Sequence, residues 1–209
     1  MKLYHFPPSP NSRRVLAVAY HLGFDPELIP VQIPQGEHLK PGFIKLNPNH
    51  KIPTLVDDDF ILWESSAIML YLISKKPGNS LYSNDAKIQA DINRWLFWNI
   101  AHWAPACGIF IYEHLVKKFL NEGDADPAEI KKGEEQFHRF AQVLDDHLNN
   151  RDWLVGNNLT VADYAVASLL DLTEAAHYPA GHYQEISRWY KNIMQLEAWK
   201  KSAPENFKW

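Results

Sequence analysis

Asn47-Pro48-Asn49-His50-Lys51-Ile52-Pro53-Thr54-Leu55, followed after a polar tip by Trp63-Glu64-Ser65-Ser66-Ala67-Ile68, is the stretch whose reading decides the fold. Ile52-Pro53 stands between a polar loop and the apolar run Thr54-Leu55-Val56. A proline cannot donate to a sheet ladder, so it fits the first position of a strand or a turn. The dipeptide alone does not give the isomer, since only about 5–6% of X–Pro bonds in folded proteins are cis. Asp57-Asp58-Asp59 is a polar tip between Leu55-Val56 and Phe60-Ile61-Leu62, which reads as a hairpin. After it, Ser65 or Ser66 is placed to cap a helix whose apolar face is Ile68, Met69, Leu72 and Ile73. Such a helix start offers free N–H groups and the positive end of a dipole to a carboxylate. Glu64, one residue earlier, is placed to take an ammonium group, so the corner suits the head of an amino acid.

Working outward, Lys2-Leu3-Tyr4-His5-Phe6 alternates as a short first strand, and Pro7 to Asn11 forms a rigid turn. Val15, Leu16, Val18, Ala19 and Leu22 give a helical stripe between Ser12 and Phe24, with Gly23 suited to its end. Leu28 to Ile33 reads as a second strand, and a polar loop over 34–42 leads into the central stretch. The order strand, helix, strand, loop, hairpin, helix fits a thioredoxin-like α/β unit with a right-handed crossover between the first two strands. Pro77-Gly78-Asn79-Ser80 ends it. Beyond, helical periodicity takes over: Asp85 to about Leu120, interrupted at Pro105 and Gly108; then Pro127 to Asn150, with Phe137, Phe140, Val143, Leu144 and Leu148 on one face. A further helix opens at Thr160-Val161-Ala162-Asp163, a capping box with Leu159 as staple that serves folding. One or two shorter helices follow Tyr183. The expected organisation is α/β plus all-α: residues 1–78 a thioredoxin-like domain, 79–84 a linker, and 85–209 a helical bundle domain.

Length and composition set bounds. With 209 residues the chain has ample core, and a net charge of −4 gives no electrostatic case for nucleic acid or an anionic membrane. No run of eighteen apolar residues occurs, and Met1-Lys2-Leu3 leads straight into a strand-like segment rather than a signal peptide, so a cytoplasmic address is expected. The single cysteine, Cys107, excludes an intramolecular disulfide and a CxxC pair; it reads as a packed apolar residue. Ten histidines show no zincin spacing, so no metal is expected.

The stretch from Asn47 to Ile68 resembles the glutathione-binding motif of the cytosolic glutathione S-transferases, most closely the serine-dependent delta, theta and phi groups. The box at Thr160 to Asp163 after Gly156 extends the resemblance into the second half. What the resemblance implies is a cis Ile52–Pro53 bond, with the Ile52 backbone pairing the cysteine of glutathione. Glu64 and Ser65 would hold the γ-glutamyl end, with Ser66 beside them, and His38, His50 and Lys51 would lie near the glycine end. One departure is Ser66, where delta-type relatives often carry a basic residue. The resemblance further implies a homodimer that takes glutathione and a small, apolar electrophile, with Trp103, Ile109, Tyr112 and Phe207 as acceptor-pocket walls.

The chemistry needs a thiolate. The reference thiol pKa is about 8.5, so lowering it by roughly two units means favouring the anion by about 2.7 kcal/mol. A hydroxyl donor, backbone amides and a helix start supply that. Ser9 lies between the first strand and first helix, four residues before Arg13, the spacing seen in serine-type relatives. Its implied role is hydrogen-bond donor to sulfur, not nucleophile. Ser12 is the rival donor and the expected helix cap, and Tyr4 is a third candidate within the strand. The leading activity is conjugation of glutathione to an electrophilic carbon. Alternatives on the same fold are a glutathione-dependent peroxidase, dehalogenase or isomerase, or a non-catalytic binding protein.

Overall fold

The computed structural model describes residues 1–204. Its described residues divide into two compact units: 1–79 together with 196–204, and 80–195.

In the first unit, β1 (Lys2–His5), α1 (Pro10–His21) and β2 (Glu27–Pro30) form a parallel strand–helix–strand unit. A helical turn, α2 (Pro41–Ile44), precedes β3 (Thr54–Asp57), β4 (Phe60–Trp63) and α3 (Ser65–Ser74). The sheet order is β2-β1-β3-β4, with β3 antiparallel to both β1 and β4. Leu3 and Leu55 face each other in the ladder and are fully buried. Tyr4, one residue on, meets Phe43 of α2 edge-on at 6.1 Å. The thioredoxin-like reading holds, with a shorter second strand than Leu28–Ile33: Ile33 already starts a 3-10 turn. Gly23 at φ 75 closes α1, as expected for a left-handed C-terminal position.

The second unit is helical. α4 (Ala86–Trp98) runs through a π-turn at Asn99–Trp103 into α5 (Ala104–Ile111), and through a second π-turn at Tyr112–Val116 into α6 (Lys117–Leu120). Pro105 and Gly108 therefore do not interrupt the helix. A mid-helix proline removes one hydrogen bond and crowds the carbonyl four residues back. Here the Ala104 N–H reaches five residues back to Asn99, and this wider turn makes room for the ring. Next come α7 (Pro127–Leu148), α8 (Val161–Ala167) and α9 (Gln184–Gln195). α7 buries Phe137, Ala141, Leu144 and Leu148, whereas Val143 stays 47% exposed and Phe140 half-buried, so its apolar face is narrower than the sequence indicated.

The box that opens α8 anchors this core. The buried Asp163 carboxylate accepts from Leu154 N (2.8 Å), Thr160 N (2.8 Å), the Thr160 hydroxyl (3.1 Å) and Trp189 Nε1 (3.0 Å). Burial pushes this carboxyl up to about 6, against four hydrogen bonds that favour the ionised form.

The last helix, α10 (Glu197–Lys201), belongs to the first unit, where it packs on α1. The sequence groups α10 with the helical domain, expected over 85–209. The physical reason for the difference is Trp199: it is fully buried, Arg13 lies over its ring at 4.2 Å, and Arg13 donates to its carbonyl at 3.4 Å.

Candidate active site

The loop from Asn47 to Thr54 is built on one buried amide. Asn47, 2% exposed, donates through Nδ2 to the Lys51 carbonyl (2.7 Å) and to Thr54 Oγ1 (3.1 Å). Its Oδ1 accepts from Asn49 N at 2.9 Å and from Asn49 Nδ2 at 3.1 Å. Thr54 closes the loop with its own bond to the Lys51 carbonyl at 3.3 Å. The loop thus holds its shape without leaning on bulk apolar contacts. It presents His50 in the left-handed region (φ 58), Lys51 exposed, and a cis Ile52–Pro53 bond. Asn47 and Thr54 were not picked out from the sequence as site residues. The signal available was an Asn two residues before another Asn and seven before a strand Thr, which is ordinary loop composition.

The start of α3 differs from the expected serine cap. Glu64 is the N-cap at φ 70, ψ 112, and Ser65 and Ser66 are the first helical residues. A non-glycine residue at positive φ is uncommon and concentrates at functional sites. The first backbone bond of the helix runs from Ile68 N to Glu64 O at 2.9 Å, and no side chain caps the N–H groups before it. Ser66 Oγ is buried and without a hydrogen-bond partner among the described residues. Exposed Glu64 beside uncapped helix-start amides gives a corner whose chemistry suits an ammonium at the carboxylate and a carboxylate at the amides.

On the other loop, Glu37 accepts from Gln32 N at 2.8 Å, and that bond holds its carboxyl below the usual range. This fastens the turn that carries His38. Burial is the main cause lowering the His38 pKa, and the charge of His50 is the second, so the two imidazoles are close enough to sense each other. Nδ1 of His38 is buried and unpartnered among the described residues. Two histidines with Lys51 give an anion several donors.

Ser9 and Ser12 separate clearly. Ser9, not Ser12, is the N-cap of α1: its Oγ accepts from Ser12 N at 3.4 Å. A capping hydroxyl uses a lone pair, so the Ser9 O–H remains free to donate, and Ser9 is half-buried. Ser12 is fully buried, and its Oγ accepts from Phe6 N at 3.3 Å. Tyr4 is taken up by packing on Phe43.

Among the acceptor-wall expectations, Trp103 is corrected. It is fully buried, 5.0 Å from Phe137 and stacked at 6.0 Å on Trp98, as a core ring. Ile109 is half-buried, Tyr112 is 44% exposed and donates to Glu122 at 2.6 Å, and Phe207 lies outside the described residues. Cys107 is fully buried, as a packed residue should be, and burial pushes its thiol up. No helix among the described residues is long and apolar enough to cross a membrane.

Residues 1–74 match the glutathione S-transferase N-terminal domain and residues 101–197 the C-terminal domain. Glutathione S-transferase D6 of Drosophila melanogaster is 32% identical over 94% of this chain and 88% of its own length. Among solved structures, glutathione transferase F7 from Populus trichocarpa superposes with a TM-score of 0.89 at 27% identity, covering 99% of each chain. A delta-class glutathione transferase from Nilaparvata lugens gives 0.85 at 30% identity, over 98% of this chain and 93% of that one. A sheet with its cis proline loop, an uncapped Glu64–Ser65 corner and matches over both halves lead to one conclusion: the chain belongs to the cytosolic glutathione S-transferase family.

Proposed function

We propose that this transferase binds glutathione along the first unit and activates its sulfur through Ser9. Glu64 takes the γ-glutamyl ammonium, while Ser65 and Ser66 with the α3 amides take its carboxylate. The Ile52 backbone, held by Pro53, pairs the cysteinyl residue, and His38, His50 and Lys51 receive the glycine carboxylate. The Ser9 O–H then donates to the sulfur at the start of α1, where the helix dipole also favours an anion. The thiolate attacks an electrophilic carbon and the leaving group departs. No covalent bond to the protein forms, so the rate comes from proximity and from stabilising charge on sulfur. The observation that supports this reading is accessibility: both hydroxyls accept one backbone N–H, but Ser9 is only half-buried at the start of α1, whereas Ser12 is fully buried.

The acceptor is a small apolar electrophile, with Ile109 and Tyr112 as the described residues that offer it surface. The protein acts in the cytoplasm as a homodimer. Exposed Phe60, Ile61 and Trp63 on edge strand β4 of the first unit support a partner copy, and exposed Phe97 and Ile100 of the second unit do so independently. Retention on immobilised glutathione, followed by conjugation of 1-chloro-2,4-dinitrobenzene, tests the reading. Binding with turnover is expected; binding without turnover towards any electrophile or peroxide would reduce the protein to a ligand carrier.

A further inference from the structure

Two imidazoles that lie far apart in the sequence meet in the second unit. His114, half-buried, sits in the π-turn at Tyr112–Val116, and His177, exposed, lies in the loop that follows α8. Their ring centroids are 4.8 Å apart and their planes cross at 75°. Among the described residues neither ring makes a hydrogen bond or an ion pair. Spacing along the chain does not show them as a pair, because only the fold brings the π-turn against this loop.

The backbone holds His177 in place. The Tyr178 N–H donates to Thr173 O at 2.9 Å and the His177 N–H to Glu174 O at 3.2 Å, the two bonds of a Schellman motif. His177 is its left-handed residue, at φ 55, a position usually given to glycine. An exposed imidazole there gains no burial to offset the strain; what it gains is contact with His114.

The separation of the rings has a chemical meaning. With metal–nitrogen bonds of about 2.0–2.1 Å and ring centres about 1.1 Å further out, two imidazoles at about 90–109° around one ion have centroids about 4.5–5.2 Å apart. The observed 4.8 Å falls inside that range. Burial, then the charges of His177 and Lys118, lowers the His114 pKa, and a neutral ring keeps a nitrogen lone pair for a metal. Glu113, the acid that His114 senses, is spent on Lys117 and on the Asp126 N–H. No third His, Cys, Asp or Glu among the described residues joins the pair, so water completes the coordination shell. Two imidazoles with exchangeable water suit a late divalent transition ion, and copper(II) heads that order of affinity.

We propose that His114 and His177 form a bidentate site for a divalent late-transition-metal ion, which clips the π-turn to the loop after α8. The site lies within the second unit and shares no residue with the glutathione-binding loop or the Glu64 corner.

The test is titration of the full-length protein with copper(II) chloride in a non-coordinating buffer without glutathione, read by calorimetry and electron paramagnetic resonance. The tightest site should take one copper per chain and show nitrogen coupling from two imidazoles. His114→Ala and His177→Gly should each lower its affinity about a hundredfold, since the remaining imidazole then binds without its neighbour. His182→Ala, in the exposed loop before α9, should leave it unchanged. His177→Gly should also melt no lower than the parent, because glycine adopts this backbone freely, so loss of metal there is not loss of fold. Equal affinity in the parent and both pair variants, or a tightest site that His182→Ala weakens as much as they do, would overturn the proposal.

Discussion

Replacing Asn47 by Ala should weaken glutathione binding by an amount that can be worked out from its bonds. The Nδ2 bonds to the Lys51 carbonyl and Thr54 Oγ1 are both lost, the first partly and the second fully buried. At about 0.5–1.5 kcal/mol each, they sum to about 2 kcal/mol. The two Oδ1 bonds reach Asn49, which is exposed and can turn to water, so they add little. The Lys51 carbonyl is not stranded, because the Thr54 hydroxyl still donates to it. The cost therefore appears as loosening of the loop rather than as a buried orphan. If the ligand must then restore the loop, a 2 kcal/mol penalty corresponds to about a thirtyfold rise in Kd. Titration calorimetry with glutathione measures it, with circular dichroism confirming the fold. The turnover of the bound complex should change little, since Asn47 touches no reacting atom. A folded Asn47→Ala protein whose Kd stays within twofold of the parent would refute the idea that this amide preorganises the loop.

Further outcomes follow from the same geometry. Asp163→Ala strands four donors in the second-unit core and should cost about 3–5 kcal/mol in urea unfolding. The native Asp163 carboxyl stands near 6, above its unfolded value, so the folded state holds the extra proton. That contribution to stability is complete below about pH 4 and is lost as pH rises to about 6, an amplitude of about 3 kcal/mol, which Asp163→Asn should flatten. Gly108→Ala in α5, where an added Cβ meets open space, should stabilise by about 0.8 kcal/mol. Gly133→Ala should gain less or lose, because its Cβ would sit 3.0 Å from Ile109 and 3.1 Å from Phe110; differential scanning calorimetry ranks the two. Cys107, buried and with its thiol pushed up, should resist iodoacetamide in the native protein and react once unfolded, as mass spectrometry would show.

Much of the first unit was legible because its signals are local. Ile52-Pro53 before an apolar run, a polar tip and alternating flanks give the β3–β4 hairpin directly, and the structure turns it at Asp58-Asp59. What was not legible depends on partners far away or on small changes of pitch. The helix passes Pro105 because a π-turn precedes it, and nothing in Asn99–Trp103 announces a wider turn. Glu64 displaces the serines as N-cap through its backbone at positive φ, which carries no side-chain signature. Between two serines three apart, sequence cannot say which caps α1; packing decides by burying Ser12 against Phe6 N. The periodicity of α10 reports a buried face but not that α1, 186 residues earlier by way of Arg13, will cover it.

The central claim is tested most directly by the ionisation of the bound thiol, followed as thiolate absorbance against pH in the glutathione complex. The parent protein should show a thiol pKa about two units below the free value of about 8.5, and Ser9→Ala should recover about one or more of those units while Ser12→Ala leaves them in place. A bound thiol that titrates like free glutathione, or one whose pKa is indifferent to Ser9, would contradict the account.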